Sequence, residues 1–186
     1  EEFDFATLGW KQLYSPDDCA FYQNAANGYG DGGTQRADGS VYPISRHTWD
    51  GLDMLTDTCL MIMSTSQEGK GNCVNQSQWD SYTFFHDAYI WVFDPVRIKW
   101  TRQSKTAFTY GSGNAVDPET DLLYGHNGQG SQTWVYDYRT QVRTQVANAG
   151  PNWIGFVALT YYPGTKTFFY FGNDNVYEFN PRTNVW

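Results

Sequence analysis

One pattern recurs three times in this chain of 186 residues at a fixed interval. Its copies are Trp91-Val92-Phe93-Asp94-Pro95-Val96-Arg97-Ile98-Lys99-Trp100, then Trp134-Val135-Tyr136-Asp137-Tyr138-Arg139-Thr140-Gln141-Val142-Arg143, then Tyr177-Glu178-Phe179-Asn180-Pro181-Arg182-Thr183-Asn184-Val185-Trp186. Phe93, Tyr136 and Phe179 stand 43 residues apart. Aromatic residues at alternate positions describe a strand with one face buried. An Asp or Asn then opens a turn by bonding its own backbone, and Pro presets the following φ. A period near 43 with strand content points to the blades of a β-propeller.

Each copy is preceded by two apolar segments separated by a tight turn. In the first copy, residues 47–54 and 58–65 flank Leu55-Thr56-Asp57. In the second, 107–116 and 121–126 flank Asp117-Pro118-Glu119-Thr120, and in the third, 153–161 and 166–172 flank Pro163-Gly164-Thr165. The unit is therefore strand A, turn, strand B, loop, strand C, turn, strand D: a four-stranded antiparallel meander. The expected fold is all-β, a partial ring of about three blades plus a remnant strand. Residues 1–13 are the remnant of a preceding blade, because Trp10 matches Trp100. Residues 14–104 form blade one with long loops at 14–44 and 66–86, residues 105–147 blade two, and residues 148–186 an incomplete blade three. Three blades cannot close a ring, so further chain or partner subunits are expected to complete it.

Composition supports strands and turns: 18% of residues are aromatic and 18 are Gly. A formal net charge of −8 argues against nucleic acid as a partner, since phosphate binding needs clustered Lys and Arg. No apolar run approaches a membrane span, so membrane insertion is not expected. The odd count of cysteines, Cys19, Cys59 and Cys73, excludes a fully paired framework within the chain. Cys59 heads the apolar run Cys59-Leu60-Met61-Ile62-Met63 and is expected to be a buried thiol. Cys19 and Cys73 lie in polar stretches and could pair.

The pattern resembles the kelch or galactose-oxidase-type propeller superfamily, and bacterial and phage kelch-like proteins in particular. The residues that carry the resemblance are Phe93-Asp94-Pro95 with Trp100, Phe179-Asn180-Pro181 with Trp186, and Ser45-Arg46-His47-Thr48-Trp49 followed by Gly51-Leu52. Gly125 and Gly172 are single remnants of the family's Gly-Gly, and Arg143 stands where the family has Trp. The resemblance implies the fold for residues 45–186. It also raises a copper-radical oxidase or a glycoside-processing enzyme as alternatives, but the copper ligands of galactose oxidase cannot be mapped onto this chain.

The parity of a meander separates its connections. A–B and C–D turns lie at one end, and here all are tight. B–C and D–A loops lie at the other, and both long loops fall there. Rigid strands carrying long loops at one end are a recognition layout. The candidate ligand-binding residues are Tyr29, Tyr42, Arg46, His47, Trp79, Tyr82, His126 and Asn127, because aromatics beside polar side chains suit sugar faces and protein hot spots. The bland alternative is that these aromatics pack the loops onto the blade. No metal or cofactor is expected: His47, His86 and His126 share the loop-rich end, but no pair has ligand spacing. Asp17, Asp18 and Asp31 read as solvated acids. The expected function is non-enzymatic recognition of a glycan or protein, extracellular, at a cell surface or on a virion. A structural assembly protein is the remaining alternative.

Overall fold

The computed structural model describes residues 2–11, 34–35, 41–43, 50–65, 67–69, 85–87, 89–108, 112–127, 130–147, 150–152, 158–172 and 175–186. These residues are all-β, without a helix. An N-terminal hairpin joins β1 (Glu2–Asp4) to β2 (Gly9–Lys11), and a short one joins β3 (Thr34–Gln35) to β4 (Val41–Tyr42). The first sheet contains β5 (Leu52–Leu55) and β6 (Leu60–Met63). A hairpin of β7 (Gln67–Gly69) and β8 (Phe85–Asp87) interrupts it before β9 (Trp91–Asp94) and β10 (Lys99–Arg102) complete it. The second sheet is β11 (Gly113–Asp117), β12 (Leu122–Asn127), β13 (Gln132–Asp137) and β14 (Val142–Ala147). The third is β15 (Ala158–Tyr162), β16 (Thr167–Gly172) and β17 (Asn175–Phe179), and the bridge between Asn180 and Val185 starts a fourth strand. Every strand pairing is antiparallel, and each sheet keeps sequence order from its first strand outward. Among the described residues the sheets form no closed ring.

The turns carry the chemistry expected of them. Asp94 Oδ1 accepts from the N–H groups of Val96 and Arg97, both at 2.9 Å, and Asn180 Oδ1 accepts from Arg182 N–H at 2.9 Å. Each turn holds four residues and ends in the left-handed region, at Ile98, Gln141 and Asn184 after the C strands and at Cys59, Asp121 and Lys166 after the A strands. Leu8 repeats the geometry in the first hairpin, where Asp4 Oδ1 accepts from Ala6 N–H at 2.8 Å. The N-terminal segment is thus a hairpin, where a single strand was expected from Trp10. Phe3-Asp4 precedes Trp10 by the same seven residues that separate Phe93 from Trp100.

Cys59 is a second correction. It is exposed, not buried. The A–B turn of the first sheet covers residues 56–59, so Cys59 is the left-handed residue at its end and the apolar strand begins at Leu60. Cys19 and Cys73 lie outside the described residues.

The three sheets stack face on face. Between the first and second, Leu55, Ile62 and Val92 meet Val116, Leu123 and Tyr136, with Ile90 and Phe108 filling the end. Between the second and third, Ala115 and Tyr124 meet Leu159, Phe168, Tyr170 and Phe179. The second sheet is buried on both sides, which explains why its strands read as nearly continuous apolar runs. Two glycines allow this spacing. A Cβ on Gly113 would stand 3.0 Å from the Leu159 backbone nitrogen, and one on Gly125 would stand 2.6 Å from the Phe108 ring.

Candidate functional site

The first strand of each sheet is an edge, and edge strands leave N–H groups without ladder partners. Here β5, β11 and β15 lie side by side, and two carboxylates of the first sheet take up those donors. Asp50 Oδ2 accepts from Leu159 N–H at 2.6 Å and Asn114 N–H at 3.2 Å, so one side chain reaches both other sheets. Asp53 Oδ2 accepts from Val116 N–H at 2.6 Å. The strands enclose an open groove of about 450 Å³ lined by Asp50, Asp53, Met54, Asn114, Leu159 and Tyr161, among others. Burial pushes the Asp50 carboxyl up to about 6, against the two N–H groups that favour its ionised form, and Asp53 adds a like charge nearby.

At the tight-turn end, charged residues fasten each sheet to the one before it. Asp121, almost fully buried, accepts from Thr56 N–H and Thr56 Oγ1 at 2.7 Å and from Asp57 N–H at 3.0 Å. Arg139 pairs with Asp57 at 2.8 Å. One period later Lys166 and Arg182 both pair with Glu119 at 2.6 Å. Hydrogen bonding to Arg139 holds the Asp57 carboxyl below its ordinary range, and Lys166 does the same for Glu119. Arg143, standing where the other copies have Trp, lies 4.6 Å over the Trp134 ring and donates to the carbonyls of Thr106 and Ala107, both at 3.0 Å.

The opposite end carries the long connections. Tyr29, Arg46, His47, Trp79 and Tyr82 lie outside the described residues, and of Tyr42 only the backbone, in β4, is described. His126 is fully buried. Its Nε2 donates to the Pro151 carbonyl at 2.9 Å, and its Nδ1 accepts from Thr133 Oγ1 at 3.0 Å, which in turn accepts from Trp186 Nε1 at 2.9 Å. Burial lowers the His126 pKa and keeps the ring neutral. The ring therefore joins the second and third sheets and offers no nitrogen to a ligand. Asn127, half-buried, ends β12, and its carbonyl accepts from Gly130 N–H at 3.2 Å.

The structure thus brings two residues that the sequence reading passed over, Asp50 and Asp53, against β11 and β15. The signal was the pair of acids flanking Gly51-Leu52, whose partners on the other sheets lie 63 or more residues away along the chain. Among the described residues no group of three His, Cys, Asp or Glu side chains is placed to hold a metal. Asp50 spends one oxygen on backbone donors and Asp53 both, Oδ2 on Val116 N–H and Oδ1 on Met54 N–H, so their first role is to fasten β5, β11 and β15. No protein-family model matches the chain, and no curated protein matches it.

Proposed function

We propose that the chain is a propeller-type recognition module that binds a glycan or a protein through its long-connection end, without catalysis. The observation that carries this reading is the division of the connections. Six four-residue turns of the three sheets cluster at one end, and the ionic contacts there (Arg139 with Asp57, Arg182 with Glu119) fasten sheet to sheet. The start of β5, the end of β6 and the start of β9, where residues 12–51 and 64–90 enter or leave the first sheet, lie at the other end. A fastened scaffold that carries its long, polar and aromatic connections at one end is suited to presenting a binding surface.

The kelch-like pattern, the stacking of similar sheets and the side-by-side inner strands all support the propeller reading. Further chain or partner subunits would complete a ring. Such a module belongs outside the cell, on a cell surface or on a virion. Two measurements test the proposal. Binding on a glycan array, or to a protein target, is expected to disappear when residues 66–86 are replaced by a short Gly-Ser turn. Metal analysis of the purified chain is expected to find no stoichiometric copper. A stoichiometric copper ion lost on His47→Ala would replace recognition by oxidase chemistry.

A further inference from the structure

We propose that the outer face of the third sheet docks a second copy of this chain, head to tail, against the inner strand and turn end of that copy's first sheet. The inference names the partner left open above. It rests on the same repetition of sheets, but not on the ligand-binding reading.

Two junctions inside the chain show how one sheet receives the next. At the turn end each uses three positions. The second residue of an A–B turn, Asp57 or Glu119, is met from the following sheet by the last residue of the A–B turn, Asp121 or Lys166. It is also met by the Arg of the C–D turn, Arg139 or Arg182. All six residues are charged. The same positions recur at the two open ends of the stack, and there none is charged. The third sheet offers Gly164 where Asp57 and Glu119 stand. The first sheet offers Cys59 where Asp121 and Lys166 stand, and Val96 where Arg139 and Arg182 stand. An acid facing Val96, or an Arg facing Gly164, would be left without its partner on association. The two open halves match each other and neither matches an internal half.

The exposed apolar residues follow the same logic. On the third sheet Tyr162, Phe171 and Val176 are exposed, Val176 by 60%, on the side that would receive a next sheet. On the first sheet Leu52 and Met54 are exposed at about 45%, whereas their counterparts Asn114, Val116 and Leu159 are buried against a neighbour. Val96 is 89% exposed and Cys59 is free. Trp91 and Phe93 are buried within the chain, so the seat offered to a second copy is the inner strand and the turn. Heterologous contacts of this kind close into rings or run on as filaments, depending on the rotation per copy. Glu178 replaces Val92 and Val135 on the receiving face and is capped by Thr167 Oγ1 at 2.7 Å, which keeps its carboxylate paired beneath the incoming surface.

By this equivalence Cys59 of one copy lies against Gly164 of the next, as Asp121 lies against Asp57. The test is Gly164→Cys in a Cys19→Ser, Cys73→Ser background, treated with a short bis-maleimide. The three atoms nearest a Cβ at Gly164 all belong to the outer end of the half-exposed Tyr162 ring, at 2.7–3.0 Å, so the substitution asks that ring and no backbone among them to shift. The expected result is a ladder of covalent oligomers whose linked peptides contain residues 59 and 164, abolished by Cys59→Ser. In the unmodified chain, mass by light scattering is expected to rise with concentration, and Phe171→Lys is expected to weaken association at least tenfold. A chain that keeps a β-sheet circular dichroism spectrum yet stays monomeric at its highest soluble concentration overturns the proposal. So do cross-links that bypass residue 164, or an association indifferent to Phe171→Lys. Loss of ligand binding on trimming residues 66–86 would leave this result unchanged, so the two readings fail separately.

Discussion

The carboxylate of Asp50 accepts the backbone N–H of Leu159 at 2.6 Å, across 109 residues of chain, and so ties the first sheet to the third. The same oxygen receives Asn114 N–H from the sheet between them. Three inner edges therefore share one acceptor.

That acceptor has a pH signature. The folded pKa of Asp50, about 6, lies above its ordinary value of 3.8. A raised carboxyl pKa means that the folded state holds the proton more tightly, so the contribution of Asp50 to stability is lost as pH rises from about 4 through 6. A shift of about two units corresponds to at most roughly 3 kcal/mol. Asp50→Asn, which keeps an acceptor oxygen, is expected to remove this slope and to leave the protein at least as stable as the parent at pH 7. Asp50→Ala removes the same slope but orphans two N–H groups, and is expected to be about 1–3 kcal/mol less stable than Asp50→Asn at every pH. Urea midpoints between pH 4 and 8 decide both.

His126 acts with the opposite sign. Its folded pKa is lowered, so its contribution is complete above the unfolded value near 6.5 and declines as pH falls below it. Thr133→Val removes the hydroxyl shared by His126 and Trp186 and is expected to cost about 1–3 kcal/mol at pH 8, read from thermal unfolding followed by Trp fluorescence.

The junction charges should be unequal. Asp121 is buried and serves three donors of the first turn, so Asp121→Ala is expected to cost about 2–4 kcal/mol. Asp57→Ala breaks an exposed pair with Arg139 and is expected to change stability little, with even that small effect vanishing in high salt. Denaturant titration of the two variants at low and high ionic strength separates the cases.

Backbone conformation gives a gain as well as losses. Ile98 is β-branched and sits at φ 51°, a region such residues rarely adopt. Ile98→Gly relieves a left-handed cost of about 1–2 kcal/mol and gives up the contacts of a side chain that is 41% exposed, so a small net gain in stability is expected. Gly113→Ala should do the reverse. Its methyl would press on the backbone of Leu159 and push the second and third sheets apart, at about 1–3 kcal/mol. Chemical denaturation of both proteins measures the two signs together.

The regular part of the fold was legible because it is local. Asp94, Asp137 and Asn180 open their turns within three residues, and alternation in the C strands marks which side chains are buried. What stayed hidden depends on partners far along the chain. Arg139 and Arg182 stand one period apart in the sequence, but nothing local pairs them with Asp57 and Glu119. Asp50 lies inside the apolar segment 47–54, and nothing local shows what its carboxylate meets until β11 and β15 are brought beside it. Cys59 was read as buried because an apolar run follows it, and the turn ends at Cys59, two residues after the Asp57 expected from its composition. His126 looked like a loop histidine because Gly125 and Gly128 flank it, yet the third sheet and Trp186 cover its ring.

The proposed binding end is the central claim, and footprinting tests it most directly. The chain would be exposed to hydroxyl radicals with and without its best binder from the glycan array or its captured protein target. The account predicts protection at Tyr29, Trp79 and Tyr82, with Val96 and Ile98 at the turn end unchanged. Protection confined to the turn end, with the long connections unaffected, would contradict it.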